Sequence, residues 1–265
     1  MRSACAVFFS LALSTLGILP FALLHCSGGC DLVLTSVPQF ANGLGLRIHI
    51  RTKINTWWSF IESAVLQLGS DLLEVKGGPT GGQYWINGVA GSEGDSNKMP
   101  FSAYHLTTHR VSNGQMKYRI DFGNGKDAIA LETFKDWVRV SVRAQTDQFH
   151  GAVGLMGSHP TGEKLARNGT TVFADDDTDA FGLEWQVQPE EDMLFREIRG
   201  VQAPQQCEMP SMSASAKRNL RRRLGEALIT EEDAQIACAK VTADERDACV
   251  FDVLATNDKA TASSY

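Results

Sequence analysis

The sequence has few of the local patterns that identify an enzyme or a nucleic-acid-binding protein. It contains no Gly-x-Ser-x-Gly and no His-Glu-x-x-His, and the glycine-rich stretch 77–82 lacks the Lys-Ser/Thr ending of a phosphate-binding loop. The net charge is −6 and basic residues cluster at 217–223, so no broad basic surface is available to neutralise phosphates. We therefore expect a protein that binds or assembles rather than one that catalyses, and no nucleic-acid partner.

Cysteines are also few, and none has the spacing of a metal site. There is no Cys-x-x-Cys and no Cys/His cluster. The six cysteines are Cys5, Cys26, Cys30, Cys207, Cys238 and Cys249. If the first two are removed with a leader, four remain, and an even number in an oxidising compartment predicts two disulfides. Four cysteines allow about three pairings, which counting does not distinguish.

The N-terminal segment has the pattern of a secretory signal peptide. Arg2 is a minimal positive region, residues 4–24 are uncharged and rich in Phe, Leu and Ala, and small residues follow at 27–29. We predict a signal peptide over 1–29 and a secreted, extracellular protein. The alternative is an uncleaved membrane anchor over 4–24, because this run is near the ~20 residues that span a bilayer.

Residues 30–188 contain short runs in which apolar and polar side chains alternate. The period of two is clear over 46–51, 117–122 and 137–143, and it places aliphatic side chains on one face and charged ones on the other. Asn-Gly pairs bracket the middle run and favour tight hairpin turns, which predicts a three-strand meander. Strands of this length and spacing predict an antiparallel β-sandwich.

The sequence changes character after residue 188. We interpret residues 189–229 as an irregular linker, whose basic cluster Lys217–Arg223 is either a solvated face or a processing site for a secretory protease. Thr230 and Thr242 each precede acidic residues, as helix N-caps do. We therefore predict a helical hairpin over 230–258 and a disordered tail over 259–265. The two arms of this hairpin make a disulfide between Cys238 and Cys249 geometrically reasonable.

Four stretches, taken in order, resemble the von Willebrand factor type D (VWFD) domain. They are the cysteine-bearing strand 29–34, the long strand 46–54, the glycine-rich turn 151–158 and the stretch 181–187, which is similar to the family's closing Phe-Gly-x-x-Trp-x-Val strand. The tail 231–258 is similar to the small cysteine-containing segment that follows this domain in some extracellular proteins. The resemblance implies a VWFD-like β-sandwich in a structural or adhesive module that contacts extracellular proteins or itself.

The chain departs from the family pattern at three places. A signal-like segment stands where the family has a Gly-Asp-Pro-His-Phe strand, and Ser158 stands where it has asparagine. Met156 occupies the position of a family cysteine, so Cys30 lacks its usual partner. With that partner missing, the resemblance implies Cys207 as the replacement.

Related domains hold a calcium ion in the loop after the glycine-rich turn. The corresponding oxygen-bearing side chains here are Asn168, Asp175, Asp176, Asp177 and Asp179. Calcium takes about six to eight oxygen ligands, and clustered carboxylates need either a cation or solvent to offset their repulsion. The two interpretations are a calcium site and a solvated acidic turn, which is what such clusters usually are. Asn168-Gly169-Thr170 is also the N-glycosylation sequon of the chain, in a polar loop.

Aromatic and histidine residues supply the remaining candidate sites. Adjacent Trp57 and Trp58 would point to opposite faces of a strand, so one ring is expected to be exposed as a contact site for a protein or a glycan. The other tryptophans lie in alternating contexts and are interpreted as core anchors. His150 and His159 flank the glycine-rich turn and are the pair to examine for metal binding or acid sensing, although isolated histidines are usually not ligands.

Taken together, the patterns predict a secreted or cell-surface structural or adhesive module that is stabilised by disulfides and possesses a candidate calcium loop. The alternative is a carbohydrate-binding module that uses an exposed tryptophan and the acidic loop. A secreted enzyme with a site assembled from scattered residues is a third hypothesis, and no local motif supports it.

Overall fold

The computed structural model of the chain describes residues 9–11, 29–55, 58–79, 81–92, 97–112, 114–174, 177–198, 207 and 229–265. The description covers the backbone alone for Phe9–Leu11, Asn55, Trp58, Asn97, Thr178, Asp244, Glu245, Ala255 and Ser264. No helix among these residues is both long enough and apolar enough to cross a bilayer.

The described residues form a sandwich of two six-stranded sheets, which confirms the predicted all-β fold. The first sheet contains β1 (Phe9–Leu11), β8 (Asn97–Phe101), β9 (Tyr104–Ser112), β10 (Gln115–Asp121), β11 (Ala128–Phe134) and β12 (Trp137–Arg143). The second contains β2 (Asp31–Val37), β3 (Leu46–Asn55), β4 (Trp58–Leu68), β5 (Asp71–Lys76), β6 (Gln83–Ile86) and β7 (Val89–Ala90). The strand orders are β1-β12-β11-β10-β9-β8 and β2-β3-β4-β5-β6-β7, and all neighbours are antiparallel except β1 and β12.

Helical structure is limited to short segments in the described part of the chain. The helices are α1 (Phe40–Gly43), α2 (Thr178–Glu184), α3 (Glu231–Ala237) and α4 (Ala243–Thr256), and 3-10 turns span Asp147–Phe149 and Lys259–Ser264. The hydroxyl of Thr230 accepts a hydrogen bond from the backbone N–H of Asp233, as expected of an N-cap. The predicted helical hairpin is thus formed by α3 and α4. Residues 259–265, for which a disordered tail is expected, instead continue into an ordered 3-10 turn.

Alternation along the strands builds the core between the sheets. Val138, Val140 and Val142 of β12 are almost fully buried, as are Leu46, Ile48 and Ile50 of β3 and the apolar residues of β10. Burying each such side chain stabilises the fold by about 1.5–3 kcal/mol. The predicted meander is β9-β10-β11, and each turn carries an Asn-Gly pair.

The stretch 181–187 differs from the strand that the resemblance implies. Its first residues belong to α2, which buries Phe181, and only the last three residues pair with β2. The backbone N–H of Val33 donates to the carbonyl of Trp185 at 2.8 Å, and that of Val187 donates to the carbonyl of Asp31 at 2.9 Å. Acidic residues at the helix start favour α2 over an extended strand because they complement the helix dipole.

The first part of the predicted linker is irregular but packed against the sandwich. Residues 188–198, which we call the strap, cross the outer face of the second sheet. Leu194 and Phe195 are buried there against Val65 of β4. The outer face of this sheet is therefore covered by protein rather than by solvent.

Candidate functional site

The predicted acidic loop is only partly described. Asp177 precedes α2 without a side-chain capping bond, and Asp179 lies in its first turn. Asp175 and Asp176 lie outside the described residues. Among the residues that the structure describes, no three His, Cys, Asp or Glu side chains are close enough to hold a metal ion together. The calcium site stays a prediction.

Asn168, the predicted glycan acceptor and calcium ligand, stabilises its own turn. Its Oδ1 accepts hydrogen bonds from the backbone N–H groups of Thr170 and Thr171 at 3.0 and 2.9 Å. Its Nδ2 donates to the Thr171 hydroxyl at 2.9 Å. The side chain is exposed, so glycosylation at this position stays a prediction that the local geometry allows.

Of the tryptophan pair, Trp58 begins β4, and Trp57 lies outside the described residues. Both side chains lie outside the described part of the chain, and the contact site stays a prediction. Trp85, interpreted as a core anchor, is half-buried and stacks beneath the guanidinium of Arg196 at 3.7 Å from the ring centroid.

Both disulfides connect the expected cysteines. Cys30 at the start of β2 is bonded to Cys207, and Cys238 is bonded to Cys249 between the two arms of the helical hairpin. All four sulfur-bearing residues are buried, with at most 5% of their surface exposed. The first bond closes a chain separation of 177 residues and the second a separation of 11.

A layer of charged residues lies between the second sheet and the strap. Arg51 Nε and Nη2 donate to the two carboxylate oxygens of Asp31 at 2.6 and 2.7 Å, and both residues are buried. Arg51 also donates to the carbonyl of Glu197 at 2.9 Å and stacks at 4.2 Å on the ring of Phe195. Because the carboxylate and the guanidinium satisfy each other, this buried pair can fasten the strap without leaving an unpaired charge.

Two further ion pairs attach the strap to the same face. The guanidinium of Arg47 donates to Asp192 at 2.7 Å, and Arg196 Nε lies 3.4 Å from the carboxylate of Glu74, which also accepts a hydrogen bond from the backbone N–H of Arg196 at 3.0 Å. The polar side of β3, which the alternation predicts, therefore faces a covering segment. The period of two identifies this side correctly, but it carries no information on what covers it.

His49 lies in this charged layer and is almost completely buried. Burial lowers the pKa of its imidazole to about 4, and the charge of Glu191 opposes this shift. Its Nδ1 has no hydrogen-bond partner among the described residues. At neutral pH the ring is therefore uncharged and acts as a packed spacer between the surrounding ion pairs.

Arg167 joins the acidic loop to the strap. Its guanidinium binds both carboxylate oxygens of Glu191, at 2.6 and 3.2 Å, and its Nε donates to the carbonyl of Glu184 at the end of α2. The same group lies 4.7 Å from the ring of Trp185. A single arginine, bidentate to Glu191, thus connects its own loop to the end of α2 and to the strap.

A cavity of about 190 Å³ lies beside this layer. It is lined by Asp31, Gln186, Val187, Gln188, Pro189, Glu191, Met193 and Ile198. Its two carboxylates are already paired, with Arg51 and Arg167, so the cavity offers a ligand no free charge. We interpret it as a gap beneath the strap rather than as a catalytic cleft.

The helical hairpin packs against the sandwich through aromatic contacts. Phe251 and Tyr265 lie against Phe60 and Trp137, and the guanidinium of Arg139 lies 4.6 Å from the centre of the Tyr265 ring. The Tyr265 hydroxyl donates to the carboxyl of Asp252, of which only 2% is exposed. The hairpin is thus docked on the sandwich without a disulfide between them among the described cysteines.

Asp252 is expected to weaken this docking at neutral pH. Burial raises the pKa of its carboxyl to about 8, against an ordinary value of 3.8, and the Tyr265 hydrogen bond and the charge of Arg139 oppose the rise only in part. The folded state therefore holds one more proton than the unfolded state between pH 4 and pH 8. The free energy of unfolding falls as the pH rises through this window.

Replacing Asp252 by asparagine should therefore stabilise the protein at pH 7 by on the order of 2 kcal/mol, because the amide keeps an acceptor for Tyr265 and cannot ionise. Denaturant unfolding at pH 4, 6 and 8 measures this, and the advantage should vanish at pH 4. Asp258→Asn is the matched control, since Asp258 forms a more exposed ion pair with Lys135. Equal effects of the two changes would contradict the assignment.

The glycine-rich turn after β12 bonds to the outer edge of β2. Leu155 and Met156 donate to the carbonyls of Val33 and Leu34 at 3.1 Å each. A crevice of only about 30 Å³ lies beside the turn and is lined in part by His159. Burial lowers the pKa of His159, and the charge of His150 adds to the shift.

The sheet edges differ in how well they are protected. In the described residues, β8 carries Lys98 and Pro100, β7 has two residues, and β2 is covered by the glycine-rich turn and by residues 185–187. Lysine, proline and short strands all discourage strand pairing at an edge. β12 has seven residues and contains neither lysine nor proline, and its outer edge is paired with β1.

In comparisons with known proteins, no family model matches the chain, and no curated protein matches it.

Proposed function

We propose that this chain is an extracellular or cell-surface module that acts through protein contacts, in adhesion or in assembly of the matrix. Two disulfides support the compartment, because such bonds persist where thiols are oxidised. The VWFD resemblance supports the class of function, and a calcium ion bound in the loop 168–179 would stabilise the end of the sandwich near α2.

The observation that carries the proposal is that arginine side chains hold other segments of the chain against the sandwich. Arg51, Arg167 and Arg139 each bind another segment of the same chain to the sandwich. Their partners are carboxylates, carbonyls and aromatic rings of the same chain. Such a network favours a rigid scaffold with a binding surface over a catalytic site.

The test uses the protein as it is secreted from cells that express the full chain. We expect saturable binding to intact cells or to deposited matrix, or concentration-dependent self-association in light scattering, and a change in either when calcium is removed by chelation if the loop holds that ion. Reduced and alkylated protein is the control for non-specific hydrophobic capture. A strict monomer that binds neither surface more than this control does would contradict the proposal.

A further inference from the structure

We propose that the outer edge of β12, over Val140–Arg143, is a strand-acceptor site that takes an extended segment of a partner protein, parallel to β12. The inference rests on the proposed function and deepens it, since it names the chemistry of the partner. Strand addition at a sheet edge obtains its affinity from backbone hydrogen bonds and its selectivity from alternate side chains.

The outer edge of β12 is the side on which Val140, Ser141 and Val142 pair with β1. β11 pairs with all seven residues of β12 along one edge, from Trp137 to Arg143. In a strand that is paired on one edge, the alternate N–H and C=O groups point to the other edge. They require either water or another strand as a partner.

The chain itself shows that this edge accepts a strand. Phe9, Ser10 and Leu11 pair in parallel with Val140, Ser141 and Val142. These three residues lie within the predicted signal peptide, so secretion would remove them and leave the edge open. The space and the hydrogen-bonding groups for one added strand would then remain on the mature protein.

The side chains of β12 specify the sequence of the partner. Val140 and Val142 face the core and are at most 3% exposed, so the residues opposite them extend the core and are apolar. Ser141 is on the opposite face and is partly exposed, so the residue opposite it is polar. Phe9-Ser10-Leu11 has this pattern of apolar, polar and apolar residues.

Arg143 adds a requirement for negative charge. A third of its side chain is exposed, its Nε has no hydrogen-bond partner among the described residues, and the nearest ion-pair oxygen, of Asp121, is 4.0 Å away. That carboxylate already binds Arg119. An acidic residue opposite Arg143 would therefore form a cross-strand ion pair, and such pairs contribute about 0.2–1 kcal/mol. The expected partner segment reads apolar, polar, apolar, acidic.

The probe is a labelled peptide of residues 7–14, which contains the strand seen on this edge, added to protein secreted from cells that express the full chain. Ala12 of the peptide would lie opposite Arg143. We expect saturable binding, about 1.5–5-fold tighter for Ala12→Glu and weaker by a similar factor for Ala12→Lys. The Arg143→Ala protein should bind all three peptides with similar affinity, a readout that a merely structural role of Arg143 would not produce.

N-methylation of the peptide tests the backbone. Only every second N–H of a strand points to a given neighbour, so separate methylation at Ser10 and at Leu11 should cost about tenfold or more at one position and little at the other. The proposal would be overturned if the affinity of the peptide changed neither with the charge at position 12 nor with N-methylation, or if the peptide showed no saturable binding. A secreted protein that retains residues 9–11 would overturn it too, because the chain then fills its own edge.

Two outcomes separate this inference from the function on which it rests. A secreted dimer that the peptide dissociates would assign the edge to a second copy and overturn the partner segment proposed here. If the peptide does not bind while the protein still binds cells or matrix, the strand-acceptor site is wrong and the proposed function stands. If neither binds, both fail.

Discussion

Replacing Asp127 by alanine is expected to lower the free energy of unfolding by about 3–5 kcal/mol. Asp127 lies between β10 and β11 and is fully buried. Its Oδ1 accepts hydrogen bonds from the backbone N–H groups of Gln145 and Thr146 at 2.6 and 3.1 Å, and its Oδ2 accepts from Asn124 Nδ2 at 2.7 Å and from the Thr146 hydroxyl. Alanine would remove the acceptor of two half-buried N–H groups in the loop that leads from β12 to the glycine-rich turn.

Urea unfolding followed by tryptophan fluorescence measures this effect. Asp121→Ala is the matched control, because Asp121 ends the neighbouring strand and forms an ion pair with half of its side chain exposed. Exposed pairs contribute about 0–1 kcal/mol. A loss below 1 kcal/mol for Asp127→Ala, or a loss equal to that of the control, would show that water replaces the carboxylate and that the anchor is not needed.

Removing the Cys30–Cys207 disulfide by two serine substitutions is expected to cost about 5 kcal/mol, because the bond closes a separation of 177 residues and restricts the unfolded chain. The same chain-entropy relation gives about 3 kcal/mol for Cys238–Cys249, which closes a separation of 11 residues. The serine hydroxyls would also be buried beside apolar residues at both sites. We therefore expect the first pair of substitutions to destabilise the protein more than the second.

Unfolding of the two serine double variants under identical conditions checks this order. The Cys238–Cys249 variant is the control for the general loss of a covalent bond, since its loop is short. Equal losses, or a larger loss at the hairpin, would show that the unfolded protein is not a freely closing chain and that local packing determines the contribution of each bond.

The arrangement of covering segments explains why an edge, rather than a face, is the binding surface we propose. The strap lies on the outer face of the second sheet, and the helical hairpin packs beside Trp137 and Arg139 of the first. Each is fixed by ion pairs or by aromatic contacts, so uncovering either face would break several interactions together. Adding a strand to β12 breaks none of them.

Local patterns predicted the strands and the hairpin because both depend on neighbouring residues. Alternation of aliphatic residues gives β3, β10 and β12, and the threonines before acidic clusters give the N-caps of α3 and α4. The prediction of a strand over the whole of 181–187 is wrong. An aromatic-rich run is compatible with a strand or a helix, and the acidic residues before this run favour a helix.

The candidate sites were harder to predict because they are made by contacts between distant segments. Arg51 and Asp31 are directly opposite each other in the register of β2 and β3, which a hairpin model could have suggested. Nothing local indicates that the strap covers them. Asp127 likewise appears in the sequence as an ordinary turn residue after Asn124-Gly125, although it is the most hydrogen-bonded carboxylate described here.

The sequence by itself determined the sandwich and the helical hairpin, because periodicity and capping act over a few residues, and the count of cysteines indicated two disulfides. The tertiary structure alone decided that the charged side of β3 is covered, that Asp252 is buried and that β12 is the least protected edge. Burial and pairing depend on which segment arrives from elsewhere in the chain, and hydrophobic alternation specifies which face of a strand turns inward without specifying what lies on the other.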